Sequence, residues 1–232
     1  MSHQDEQKRQ AALAAAALVE PSMVVGLGTG STANYVIDEL GRRVHDEGLH
    51  FVGVPTSETT AHRARTAGIA LVTLDGHPEI DLTIDGADEV DPALRLIKGH
   101  GGALLHEKIV AAASRRLVIV VDASKLVQQL GERHAVPVEV VAFGWRAAAR
   151  RMERLGGQPQ RRVIAETGQP FVTDSGHWIL DCDFGPIADP GRLEAALKDI
   201  PGVVENGLFV GLTDAVYIGK ENSVEIQHAT KA

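Results

Sequence analysis

Short apolar runs alternate along the first half of the chain with longer segments whose apolar residues recur at helical spacing. Met23–Gly28, Phe51–Val54, Ile69–Leu74, Leu82–Asp85 and Leu117–Val121 read as strands. Between them Thr32–Glu47, Glu58–Ala67 and Gly102–Ser114 read as helices, and Gly68 supplies the stop that closes the second. A further helix starts near Asp5, where Leu13, Ala16, Ala17 and Glu20 suit a surface position. Apolar strands separated by helices pair in parallel and carry helices on both faces of the sheet. The pattern therefore predicts an α/β domain with a mostly parallel sheet, whose ligands bind at the carboxyl ends of the strands. Gly28–Thr32, Asp85–Asp88 and Asp122–Lys125 all fall at such ends.

The rhythm changes near His134. Val136–Val141, Arg161–Ala165, His177–Phe184 and Val203–Phe209 read as strands, and Gly144–Leu155 and Pro190–Asp199 as helices. The order βαββαβ is that of a small ferredoxin-like α+β domain. Ala215–Gly219 predicts one further strand that returns to the first sheet. The chain is thus expected to divide into a larger domain of residues 1–133 plus 208–232 and a smaller one of residues 134–207. Within 177–184, Trp178, Leu180, Cys182 and Phe184 alternate with Ile179, Asp181 and Asp183, which puts Cys182 on the apolar face in a packing role.

Composition narrows the function. At 232 residues the chain buries enough surface to fold without disulfides or a structural metal. Its single cysteine rules out an intramolecular disulfide and every Cys-based zinc pattern, and fits a reducing compartment. Lys plus Arg is 23 against 31 for Asp plus Glu, a net charge of −8, which argues against a nucleic-acid partner held through its phosphates. A small anion is still compatible with that balance, since a few amides and one lysine hold a phosphate locally. The longest wholly apolar run, the nine residues Ala11–Val19, is too short to span a membrane. Asp5 and Glu6 upstream of it, and the lack of a small-x-small cleavage pattern after it, argue against a signal peptide. A soluble cytoplasmic protein with no membrane partner is expected.

Four segments carry candidate chemistry. Gly26-Leu-Gly28-Thr29-Gly30-Ser31-Thr32 leaves a strand and opens a helix, so its glycines permit a tight turn and its amides and hydroxyls attract an anion. It is neither a dinucleotide fingerprint, which would need glycine at Ser31, nor a P-loop, which would need Gly-Lys-Ser/Thr. Asp85-Gly86-Ala87-Asp88-Glu89-Val-Asp91 groups four carboxylates after a buried strand, without the alternation of an EF-hand; Asp85 and Asp88 suit proton transfer. Lys98-Gly99-His100-Gly101-Gly102 precedes a helix bearing Glu107, a lysine to stabilise an oxyanion and a carboxylate to act as base. Asp122-Ala-Ser-Lys125 ends another strand, where Lys125 offers a point charge for a phosphate, or Asp122 simply caps a helix. The histidines show no metal-ligand spacing with acids, and no Ser-His-Asp set can be assembled.

Taken in order, these segments resemble the type A family of ribose-5-phosphate isomerases. The likeness continues through Pro137-Val-Glu-Val140, Leu155-Gly-Gly157, Val172-Thr-Asp174 and Ile200-Pro-Gly-Val-Val204, so it spans nearly the whole chain. It implies a Rossmann-like domain with a smaller α+β domain, a homodimer or homotetramer, and no metal or organic cofactor. By position, Glu107 would be the general base moving a proton between C2 and C1, and Lys98 would stabilise the enediolate oxygen. Asp85 would assist ring opening and proton movement at the sugar oxygens, and Asp88 would hold substrate hydroxyls and the lysine. Thr29, Gly30, Ser31, Thr32 and Lys125 would hold the sugar phosphate, with Gly86, Ala87, Gly99, His100 and Gly101 lining the same site. The chemistry agrees, since aldose–ketose isomerisation needs a carboxylate base, an electrophile and a hydroxyl relay.

The chain departs from relatives at His100, where glycine or arginine is common, at His106 before the base, and at Pro55-Thr-Ser57, where some are serine-rich. Two other functions share this type of fold. A non-catalytic sugar-phosphate sensor would keep the phosphate loop, and a CoA-transferase-like enzyme would use a glutamate as nucleophile. Retention of Asp85, Asp88, Lys98 and Glu107 together favours the isomerase.

Overall fold

The computed structural model describes residues 2–221 and 223–229. Helix α1 (His3–Ala16) leads into β1 (Val24–Leu27), α2 (Ser31–Glu47), β2 (Val52–Pro55), α3 (Glu58–Thr66), β3 (Ala70–Leu71) and β4 (Leu82–Asp85). Two short strands, β5 (Glu89–Val90) and β6 (Leu96–Ile97), precede α4 (Leu104–Ala112), β7 (Leu117–Asp122) and a 3-10 turn at Ala123–Lys125. The chain continues through β8 (Val136–Val140), α5 (Trp145–Arg154), β9 (Gln158–Arg161), β10 (Trp178–Asp183) and α6 (Pro190–Lys198). It closes with β11 (Val203–Asn206), β12 (Leu208–Phe209), β13 (Ala215–Gly219) and β14 (Val224–His228). Two compact units result: residues 1–87, 106–125 and 212–232, and residues 88–105 and 126–211.

The first unit is a seven-stranded sheet in the order β14-β13-β7-β4-β1-β2-β3. Every pairing is parallel except that of β13 with β14. The strand order reverses between β1 and β4, the topological switch point at which doubly wound sheets bind ligands. The ends of those two strands are Leu27 and Asp85, so Gly28–Thr32 and Asp85 emerge side by side. Helix α1 differs from the surface helix that its sequence suggests. Ala11, Ala12, Ala15 and Ala16 are fully buried, and α1 packs along α2, β7 and β13. Gly219 of β13 permits a close approach at the start of this helix: a Cβ there would lie 1.8 Å from the carbonyl oxygen of Gln7. The helix starts from a capping box between Ser2 and Asp5.

The second unit contains an antiparallel sheet in the order β11-β8-β10-β9, carried by the predicted βαββαβ succession. Val136, Val138, Val140, Leu180 and Cys182 pack beneath Ala148 and Met152 of α5 and Leu197 of α6. Two strands differ from expectation. Strand β9 is Gln158–Arg161 rather than Arg161–Ala165, because it is a polar sheet edge, whereas Val163 and Ile164 are solvent-exposed. The segment Val203–Phe209 breaks at Gly207, and β12 joins a separate sheet in the order β12-β6-β5. Gly207 makes that break possible, since a Cβ there would sit 2.2 Å from the Lys98 carbonyl oxygen. Strand β3 is only two residues long, and β14 adds an antiparallel edge that sequence periodicity did not predict.

Burial, reinforced by the nearby carboxylates of Asp183, Asp181 and Glu153, pushes the Cys182 thiol up to about 12. The thiol therefore stays protonated and inert in the folded chain. Iodoacetamide at mildly alkaline pH is expected to alkylate Cys182 only after unfolding in guanidinium; rapid labelling of the native protein would contradict this packing. Among the described residues, no helix is long and apolar enough to cross a membrane.

Candidate active site

Within the first unit, the turn after β1 is built around Asp85. The backbone N–H groups of Thr29 and Gly86 donate to its Oδ1 at 3.1 and 2.7 Å. Gly28 is required here, because a Cβ would lie 2.1 Å from that same oxygen. Gly30 takes φ +115°, a conformation that favours glycine, and forms the N-cap of α2. Among the described residues no side chain caps α2, and no acid occupies its first turn. Its start thus offers uncapped amides and the positive end of the helix dipole to an anion. Lys8 of α1 reaches the same point, its Nζ donating to Ser31 Oγ at 3.2 Å.

Asp122 is fully buried and caps the following 3-10 turn, accepting from Ser124 N at 2.9 Å and from Gln4 Nε2 at 3.3 Å. The capping reading of Asp122 therefore holds. Lys125, at the end of that turn, is half-buried and makes no ion pair among the described residues. Glu107 lies in the first turn of α4, nearer its N-terminus than the sequence suggests, since the helix begins only at Leu104.

In the second unit, the acidic segment resolves into separate tasks. Glu89 is fully buried and accepts the backbone N–H groups of Gly131, Arg133 and His134 at 2.6 to 2.8 Å. Asp91 binds Ala93 N, Arg95 N and Arg95 Nε at 2.6 to 3.0 Å. Asp88 instead faces the glycine-rich turn, accepting His100 N at 3.1 Å, with His100 Nδ1 3.6 Å from its other oxygen. His134 packs edge-on to His100, 4.7 Å between ring centroids. Lys98 is anchored by its own N–H to Gly207 O at 2.9 Å, and its Nζ lies 5.4 Å from the centre of the Phe209 ring. Gly99 adopts φ +103° against Leu104, where a side chain would collide.

The Lys98 turn is braced by a residue that sequence reasoning passed over. Arg162 donates to the carbonyls of Gly99 and His100 at 3.1 and 2.9 Å, and pairs with both oxygens of Asp181. Such a charge-assisted fork fixes the loop more firmly than neutral hydrogen bonds. Nothing local in the sequence marks Arg162, whose partner lies 19 residues on. Lys8 was equally hidden, one charge in a helix that reads as surface.

Asp85, Lys98 and Glu107 are 1%, 2% and 4% exposed. Ionisable side chains are seldom this buried unless they are paired or serve chemistry. Among the described residues, no three His, Cys, Asp or Glu side chains are grouped as metal ligands. Within the first unit, a switch-point anion loop accompanied by the buried acids Asp85 and Glu107 is the arrangement of an α/β enzyme that handles an anion and moves protons.

The particular family follows from three comparisons. The family model described as ribose 5-phosphate isomerase A (phosphoriboisomerase A) matches residues 52–223. Ribose-5-phosphate isomerase A of Gloeobacter violaceus is 59% identical over 220 residues, covering 94% of each chain. That of Synechococcus sp. (strain JA-3-3Ab) is 55% identical, over 95% of this chain and 96% of its own. The solved ribose 5-phosphate isomerase A of Methanocaldococcus jannaschii superposes with TM-score 0.92 at 42% identity, covering 96% and 98% of the two chains. A D-ribose-5-phosphate isomerase in complex with phospho-erythronic acid gives TM-score 0.95 at 38% identity, covering 98% and 100%. The chain belongs to the ribose 5-phosphate isomerase A family and is an aldose–ketose isomerase. Neither the sensor nor the CoA-transferase alternative is favoured.

Proposed function

We propose that the chain interconverts D-ribose 5-phosphate and D-ribulose 5-phosphate through an enediolate, in the non-oxidative pentose phosphate pathway. The observation that carries the reading is the near-complete burial of Asp85, Lys98 and Glu107 in a fold of this family. Glu107 removes the proton from C2 and returns it to C1. Lys98 stabilises the negative oxygen that develops as the carbonyl enolises, where a charged donor in a dry site is most effective. Asp85 assists ring opening and carries the proton between the sugar oxygens, and Asp88 holds substrate hydroxyls. The start of α2, from Gly30 to Thr32, takes the phosphate with Lys125, and the Lys8–Ser31 contact adds Lys8 to that set. The reaction is redox-neutral within one molecule and calls for no organic cofactor. As the family likeness implies, the enzyme works in the cytoplasm as a homodimer or homotetramer.

The relative bound to phospho-erythronic acid supports the planar intermediate. That acid ends in a planar carboxylate, whose two oxygens mimic those of an enediolate. A mimic of the intermediate binds more tightly than the substrate. 4-Phospho-D-erythronate is therefore expected to inhibit this enzyme competitively, with Ki at least about ten-fold below KM for ribose 5-phosphate. Failure to compete would remove the enediolate from the account.

A further inference from the structure

We infer that Thr56, Ser57 and Thr60 are positioning residues for substrate phosphate: their hydroxyls hold Thr29, and with it the Gly28–Ser31 turn, in the conformation that aims the start of α2 at the anion. The inference rests on the proposed reading of that turn as the phosphate site.

Thr29 was a candidate to touch substrate directly, but its N–H and its hydroxyl are both engaged by the protein. Its N–H donates to Asp85 Oδ1. Its Oγ1 donates to Ser57 Oγ at 2.9 Å and lies 2.8 Å from Thr56 Oγ1 and 3.0 Å from Thr60 Oγ1. The two threonines also grip the backbone on either side of the strand end. Thr56 Oγ1 donates to Leu27 O and Thr60 Oγ1 to Gly28 O, each at 3.0 Å. Ser57 caps α3 by accepting from Thr60 N at 3.1 Å, so the cluster is seated on a helix start rather than on a loose loop. Thr56, Ser57 and Thr60 are 0%, 9% and 2% exposed, so water competes little for these bonds.

The need for such a clamp follows from the turn itself. Gly28 and Gly30 flank Thr29, and glycine samples backbone conformations that other residues avoid. A turn of that composition binds an anion well only if its donors are already oriented when the ligand arrives. Thr29 is the one side chain by which the segment between the glycines can be held. Three hydroxyl oxygens lie within 3.0 Å of Thr29 Oγ1, and since each hydroxyl carries one proton, those of Thr56 and Thr60 alternate between Thr29 and the neighbouring carbonyls of Leu27 and Gly28.

The test is Thr60→Val, which keeps the shape and removes the hydroxyl from both Thr29 and Gly28 O. KM for ribose 5-phosphate is expected to rise about ten-fold while kcat changes less than about three-fold, the loss of a well-made buried hydrogen bond expressed in binding. Ki for inorganic phosphate as a competitive inhibitor should rise by the same factor as KM, which a merely structural role would not produce. Thr60→Ser should restore both constants to within about two-fold, since it returns the hydroxyl. Thr56→Val, which releases Leu27 O, gives the same readout should the first variant fail to fold. Folded valine variants with unchanged KM and unchanged phosphate Ki would overturn the inference alone. A wild-type enzyme that inorganic phosphate does not inhibit would overturn the phosphate reading beneath it.

Discussion

Glu107→Gln is expected to lower kcat by between about 10²- and 10⁴-fold, the range for loss of a positioned general base. KM should stay within about three-fold, because glutamine keeps the shape of the side chain and removes only its basicity. Glu107 is 4% exposed in the first turn of α4, so the substitution exchanges one buried polar group for another of equal volume. Release of the C2 label of [2-²H]ribose 5-phosphate into solvent should fall in parallel with turnover. An unchanged KM and an unchanged melting temperature separate loss of the proton-transferring group from general damage to the fold. A folded glutamine variant with near-normal turnover would take the base assignment away from Glu107.

Lys98→Met should cost about 10²-fold or more in kcat, corresponding to about 3 kcal/mol for one oxyanion donor. The substitution is chosen because Lys98 is 2% exposed and held in place by its backbone N–H to Gly207 O, which methionine retains. The discriminating result is a variant that still folds cooperatively by circular dichroism while its turnover collapses, an outcome that a purely structural lysine would not give. Lys98→Arg is not expected to rescue, since the planar guanidinium does not fit the place of a compact ammonium. Loss of stability with retained turnover would mean that Lys98 serves packing against Phe209 rather than chemistry.

The parts of the fold legible in the sequence were those with a strong local signal. Buried strands such as Leu117–Asp122 are continuous apolar runs, and glycines punctuate their ends. The Gly28–Thr32 turn, Asp85 and the Lys98 turn stood out because each joins a strand end to glycine and polar residues. What escaped was set by tertiary contact. Strand β9 carries Gln158 and Gln160 at a sheet edge, where no apolar alternation is needed. The burial of α1 rests on its small alanines and on Gly219 of β13, which the backbone of Gln7 approaches, and a run of alanines reads as weak amphipathicity. The clamps on the two turns come from elsewhere along the chain: in the first unit Lys8 on Ser31 and Thr60 on Gly28, and in the second Arg162 on Gly99. Single polar side chains of this kind have no periodicity of their own, so only the fold reveals them.

The most direct test of the central claim is the formation of ribulose 5-phosphate from ribose 5-phosphate by the purified chain, followed with and without EDTA. Rapid conversion that EDTA leaves unchanged is the result the account predicts. No conversion by the folded protein, or conversion that EDTA abolishes, would contradict it.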